Sequence, residues 1–139
     1  MKKHVVCIEK NSSICFLIET LLKNKYTVVS VQNNYQAMAH IAAGSQIDCI
    51  ILSVENSEDE NIELLYHLGS SSLLQAIPVI VLSNSKSEEL KVLCFESNVY
   101  AFFTKPFNPL ELSKTIDETM KNTSQLQILY KKRNLFNLN

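Results

Sequence analysis

The sequence has 139 residues, 46% hydrophobic and 19% charged, a size and composition that fit one globular domain and exclude a disordered chain. Basic and acidic residues nearly balance, 13 against 14, for a formal charge of -1; with a single arginine, Arg133, bidentate readers of phosphate are almost absent, which argues against a nucleic-acid surface. Only two glycines, Gly44 and Gly69, are present, too few for the glycine-rich loops that cradle nucleotide phosphates.

In chain order, Met1-Lys2-Lys3 leads into an apolar run too short for a signal peptide, and no stretch approaches the roughly 20 apolar residues of a membrane span. A cytoplasmic protein that does not enter a membrane is expected. His4 to Ile8 reads as a strand, and Thr27 to Val31, Cys49 to Val54, Val79 to Ser83 and Ala101 to Thr104 repeat its β-branched and aromatic character. Three of these runs are apolar almost throughout, which suits strands covered on both faces of a parallel sheet.

Helical patterns fill the intervals. After Asn11 or Ser12 as N-cap, Ile14, Leu17, Ile18, Leu21 and Leu22 form one buried stripe of a helix ending near Asn24. Asn33 or Asn34 caps a second helix carrying Ala37, Met38 and Ile41, with Gly44 where a left-handed C-cap belongs. A third, Glu60 to Leu68, presents Ile62, Leu65 and either Leu68 or Tyr66, and Gly69 is expected to stop it in the same way. Ser85 with Glu88 three residues on reads as a capping box for a fourth helix through Leu90, Leu93 and Cys94, ending near Asn98. Asn108, Pro109 and Glu111 open a fifth, whose apolar row is Leu112, Ile116 and Met120.

Strict alternation of five strands and five helices with right-handed crossovers gives an α/β, doubly wound, five-stranded parallel sheet with helices on both faces. With the flavodoxin-like strand order 2-1-3-4-5, the switch point falls between the first and third strands and function belongs at their carboxyl ends. That selects Glu9, Lys10, Ser53 and Glu55, with Ser83 and Lys105 on the neighbouring strand ends. Cys7, Cys15, Cys49 and Cys94 sit in apolar runs without a C-x-x-C pair, the habit of buried free thiols, and no metal site is expected among them.

The segments Ile47-Asp48-Cys49-Ile50-Ile51-Leu52, Ile77-Pro78-Val79-Ile80-Val81-Leu82-Ser83 and Phe102-Phe103-Thr104-Lys105-Pro106-Phe107-Asn108, in this order and spacing, resemble the receiver domain of bacterial two-component response regulators, over Lys3 to Asn122. The resemblance implies that an Asp ending the third strand accepts a phosphoryl group from a phosphohistidine kinase, that two acids after the first strand help hold Mg²⁺, and that a Ser or Thr ending the fourth strand and a Lys ending the fifth bind the phosphoryl oxygens. It also implies a cis Lys105-Pro106 bond and, at Phe102, an aromatic whose packing is coupled to Ser83.

Carried over residue by residue, the resemblance keeps only part of that set. Ser83 and Lys105 match the phosphoryl-binding positions, and Glu9 stands at the first acidic position. Ser53 takes the phosphoacceptor position, and a serine hydroxyl is a weak nucleophile without a positioned base, none of which is evident. Lys10 takes the second acidic position and inverts its charge, so Mg²⁺ binding is expected to be weak or absent and no cofactor is required. The side chain of Glu55 is expected to point away, since its backbone carbonyl is the family's metal ligand. An ion-pair cluster in which Lys10 or Lys105 meets Glu9 or Glu55 is the expected replacement.

The expected product is a degenerate receiver over residues 1–122 that is not an enzyme and works by protein–protein interaction without Asp phosphorylation. Its partners would be signalling proteins, such as a histidine kinase or a downstream regulator, or a second copy docked through the face of the fourth helix, fifth strand and fifth helix or through the C-terminal extension. Residues 123–139, with Leu126, Leu129, Tyr130, Leu135, Phe136 and Leu138, are expected to form a helical extension or tail, too short for an output domain. Two alternatives compete: a flavodoxin-like FMN redox carrier using the loop Lys10-Asn11-Ser12-Ser13, and a receiver with atypical phosphotransfer at Ser53 or Glu55.

Overall fold

In the computed structural model, which describes residues 2–121, the five apolar runs pair side by side as β1 (His4–Ile8), β2 (Thr27–Val31), β3 (Cys49–Ser53), β4 (Val79–Ser83) and β5 (Val99–Thr104). Every pairing is parallel and the spatial order is β2-β1-β3-β4-β5. The sheet is the expected one, reversing direction of growth between β1 and β3. Helices α1 (Ser12–Leu22), α2 (Asn34–Ala42), α3 (Asn61–Ser70) and α4 (Glu88–Glu96) connect the strands, and α5 covers 109–121.

Alternation along the strands divides the interior into two cores. Val5, Cys7, Cys49, Ile51, Ile80 and Leu82 face α1 and α5, where Ile18, Leu22, Leu112, Ile116 and Met120 complete one cluster. Val6, Ile8, Ile50, Leu52, Val79 and Val81 face the other way, into Ala37, Leu65, Leu68, Leu90 and Cys94 of α2, α3 and α4. Each Val, Leu, Ile or Met among them contributes about 1.5–3 kcal/mol on full burial, so the two-sided core explains why the central strands read as continuous apolar runs. A register shift between Val79 and Ile80 places Phe102 opposite Val81 and Phe103 opposite Leu82, one aromatic in each core.

Local signals set the helix ends, with corrections. Asn11 caps α1 by accepting from the backbone N–H groups of Ser13 and Ile14, and Asn33 caps α2 by accepting from Gln36 N. Gly44 has φ +75° as expected of a left-handed stop, and Asn98 adopts φ 65° after α4. Gly69, by contrast, lies inside α3, which runs on to Ser70, and its φ is not positive. A Cβ there would come 3.1 Å from the Ser97 carbonyl oxygen, so close approach of α3 to the end of α4 selects this glycine. The fourth helix is capped by Ser87, accepting from Leu90 N; the hydroxyl of Ser85 instead accepts from Ser87 N, two residues before the cap, which removes the expected capping box. Met38 of α2 and Leu17 of α1 are exposed, outside the cores assigned to them.

Three of the four cysteines are buried, and Cys15 is half-buried. Burial pushes the Cys49 thiol up to about 12 and that of Cys94 up to about 11, which keeps both protonated and suits core packing. Among the described residues no helix is long and apolar enough to cross a membrane. The extension expected over 123–139 lies outside the described residues.

Candidate functional site

The carboxyl ends of β1, β3, β4 and β5 reach one edge of the sheet together, because the parallel register aligns Ile8 with Leu52, Ser53 with Leu82, and Ser83 with Thr104. Lys105 follows β5, and its backbone N–H donates to the Ser83 carbonyl at 2.7 Å, which ties its backbone to the end of β4. The Lys105–Pro106 bond is cis. Only 7% of the Lys105 side chain is exposed, so its ammonium requires partners. It has three: Nζ donates to Glu9 Oε2 at 3.0 Å, to Ser53 Oγ at 2.9 Å and to Glu55 Oε1 at 2.8 Å. All three ammonium hydrogens are thereby used.

The two carboxylates are held differently. Glu9, 4% exposed, accepts from Asn11 N through Oε1 at 3.1 Å, so it is fixed at both oxygens. Glu55 keeps 36% of its side chain exposed, yet it also collects several donors: Ser53 Oγ at 2.9 Å on Oε1, and Asn84 Nδ2 at 2.7 Å and Asn84 N at 3.2 Å on Oε2. The loop that delivers it is tied by Asp59, whose two oxygens accept from Glu55 N and Asn61 N, each at 2.9 Å. Asn61 in turn donates to the Ser53 carbonyl at 2.8 Å.

Burial alone would lower the Lys105 pKa; its hydrogen bonds and charge contacts with Glu55 and Glu9 outweigh that and raise it above 10.5. For Glu55, burial pushes the pKa up, but hydrogen bonds from Lys105, Ser53 and Asn84 win and hold it below 4.5. The cluster therefore sets the Lys105 ammonium between two carboxyl side chains, with both Lys105 and Glu55 favoured in their charged forms.

Of the alternatives open for the ion-pair cluster, Lys105 forms it with both Glu9 and Glu55. Lys10 does not join: it reaches outward to Glu60 Oε1 at 3.4 Å, with 70% of its side chain exposed. The expectation that Glu55 points away is overturned, because the charge of Lys105 and the amide of Asn84 draw its carboxylate inward. A carboxylate base does stand beside Ser53, contrary to expectation, though its lowered pKa makes it a weak one. Ser83 is fully buried, and its hydroxyl accepts from Ser85 N at 3.0 Å; it meets the cluster through its backbone. Phe102 packs against the α4-side core beneath the ammonium of Lys91, 5.8 Å from its ring centre.

Asn84, Asp59 and Asn61 belong to the site but were not singled out by sequence. The first directly follows Ser83, and that adjacency to a selected strand end was the available signal. A groove of about 640 Å³ opens over the cluster, between Lys10, Asn11, Ile14 and Leu17 on one side and Asn84 and Phe107 on the other.

The fold and the strand-end residues define a signalling receiver, and comparison with known proteins fixes the family. Residues 5–117 match the response regulator receiver domain, and the chain belongs to that family. It is similar to the phosphate regulon transcriptional regulatory protein PhoB of Escherichia coli K12, 26% identical over 132 residues that make up 92% of this chain and 56% of PhoB. The chain thus spans little more than half the length of that relative. Among solved structures it is similar to the phosphorylated cyanobacterial phytochrome response regulator RcpA, with 27% identity, a TM-score of 0.73, and coverage of 88% of this chain and 94% of RcpA. The fold alone is shared with a CheY-like receiver domain protein from Methanospirillum hungatei JF-1, 19% identical with a TM-score of 0.79 over 90% of this chain and 98% of the other. None of these matches supports the FMN-carrier reading.

Proposed function

We propose that this receiver domain works in two-component signalling as a protein-interaction module that is not switched by phosphorylation of an Asp. The observation that carries the reading is the saturated Lys105 ammonium, whose three hydrogens are taken by Glu9, Ser53 and Glu55. Where the resemblance places the phosphoacceptor Asp stands Ser53, and its hydroxyl is engaged by Lys105 on one side and Glu55 on the other.

The donor set does not suit Mg²⁺, which demands near-octahedral oxygen coordination and several retained waters. Both nearby carboxylates already neutralise an ammonium lodged between them, and Lys10 adds a further positive charge at the groove. No catalytic role is assigned, and the cofactor requirement is none. Partners of this reading are a histidine kinase, a downstream regulator or a second copy. The α4, β5 and α5 elements favour such contacts, since Val92 and Phe95 of α4 are each 53% exposed and Leu110 of α5 is 75% exposed.

A second reading has one observation in its favour: Glu55 accepts the Ser53 hydroxyl at 2.9 Å, the geometry of a base beside a nucleophile. Titration with beryllofluoride and Mg²⁺, followed by amide chemical shifts, tests the first reading. The Lys105 and Asn84 amides should show no saturable response, and a saturable one would overturn it.

A further inference from the structure

We propose that Cys15 and Cys7 form a reversible modification site, in which a hydroperoxide oxidises Cys15, Cys7 closes a disulfide onto it, and the change is felt at Glu9. The two thiols come from adjoining elements. Cys7 of β1 faces α1 from within the core and is inaccessible. Cys15 stands one turn before Ile18 and two before Leu22, on the same buried stripe of α1. That stripe lies on β1, and the Cys7 and Cys15 side chains hydrogen-bond to each other. Access separates their roles. Cys15 is half-buried and lines a cavity of about 290 Å³ between α1 and β2, together with Phe16, Glu19, Ser30 and Gln32, through which a small peroxide can reach its sulfur. Cys49 and Cys94 are fully buried.

With hydrogen peroxide, the Cys15 sulfur attacks one peroxide oxygen and the O–O bond breaks. The second oxygen leaves as water with the Cys15 proton, and a sulfenic acid remains. The Cys7 sulfur then attacks that sulfur, the S–O bond breaks, and the hydroxyl leaves as a second water with the Cys7 proton. Two thiols lose two electrons and one peroxide becomes two waters. A thiol reductant reverses the product by exchange. The pair flanks Glu9 in the chain, and Cys15 Sγ donates to the Glu9 carbonyl at 3.2 Å. The disulfide abolishes that donor. Oxidation therefore acts on the backbone of the residue whose carboxylate holds Lys105 at 3.0 Å, whether or not Ser53 or Glu55 takes a phosphoryl group.

The test treats the folded wild type with hydrogen peroxide, records the intact mass, alkylates the remaining thiols and maps disulfides by peptide mass without reduction. A monomer lighter by two hydrogens, with Cys7 joined to Cys15 and the bond reversed by dithiothreitol, is expected. Cys7→Ala should instead keep a sulfenic acid at Cys15 that dimedone traps, and Cys15→Ser should form no internal disulfide. The Glu9 and Asn11 amides should shift between the reduced and oxidised wild type and return on reduction. No disulfide in the wild type, a disulfide joining other cysteines, or unmoved Glu9 and Asn11 amides in the oxidised protein overturns the proposal. The mapping and the amide shifts are both read on the wild type, so they decide the matter even where a variant does not fold.

Discussion

Lys105 and Glu55 depend on each other, and the direction of each pKa shift fixes how stability follows pH. Glu55 has its folded pKa held below 4.5 after its hydrogen bonds overcome burial. Its stabilising contribution is therefore present in full above that ordinary value and is lost as pH falls through the folded one. The stability difference between the wild type and Glu55→Gln, measured by denaturant unfolding, should hold at neutral pH and shrink as the solution is acidified below 4.5. A difference that stays constant into acid would contradict the ion pair. The Lys105 contribution has the opposite sign: with its pKa raised above 10.5, it is complete below that value and fades only as pH rises through the folded one.

Residue types at strand ends made much of this cluster legible in the sequence. That Lys105 meets Glu9 and Glu55 was among the pairings left open, but choosing among them required knowing which lysine is rooted inside. Lys105 is fixed by its backbone bond to Ser83, whereas Lys10 extends from the outer rim to Glu60. The inward turn of Glu55 was hidden because it depends on Asp59 and Asn84, contributed by loops that no periodicity describes. The three aspartates, Asp48, Asp59 and Asp117, prove to be structural: Asp48 accepts from His4 N, Asp59 shapes the Glu55 loop, and Asp117 pairs with Lys25 and Tyr26.

At the scale of elements, helix starts were readable wherever a single side chain bonds its own backbone. Asn11 and Asn33 accept from the first-turn N–H groups as such residues do. The fourth helix was harder because Ser83, Ser85 and Ser87 stand at alternate positions and each takes part in a short hydrogen-bonded relay. Sequence cannot tell which of them caps. The two glycines separate in the same way, since Gly44 answers to a local backbone angle and Gly69 to a tertiary contact with Ser97. Gly44→Ala meets no neighbour within 4 Å but must hold φ +75°. It should cost about 1 kcal/mol in urea unfolding, with Gly44→Asn costing less. An unchanged midpoint for the alanine variant would contradict the left-handed stop.

On the scale of the whole molecule, the fold was the most legible feature, because two cores on opposite faces of one sheet force the central strands to be apolar on both sides. That same architecture aligns the strand ends where the family carries its chemistry, and here those ends hold an internal ion-pair cluster. On the proposed function, this receiver domain does not accept a phosphoryl group at Ser53 or Glu55. Intact mass after incubation with acetyl phosphate and Mg²⁺ tests it most directly. An unmodified mass at the end of the incubation is expected, and a stoichiometric phosphoryl adduct on the folded wild type would overturn the proposed function.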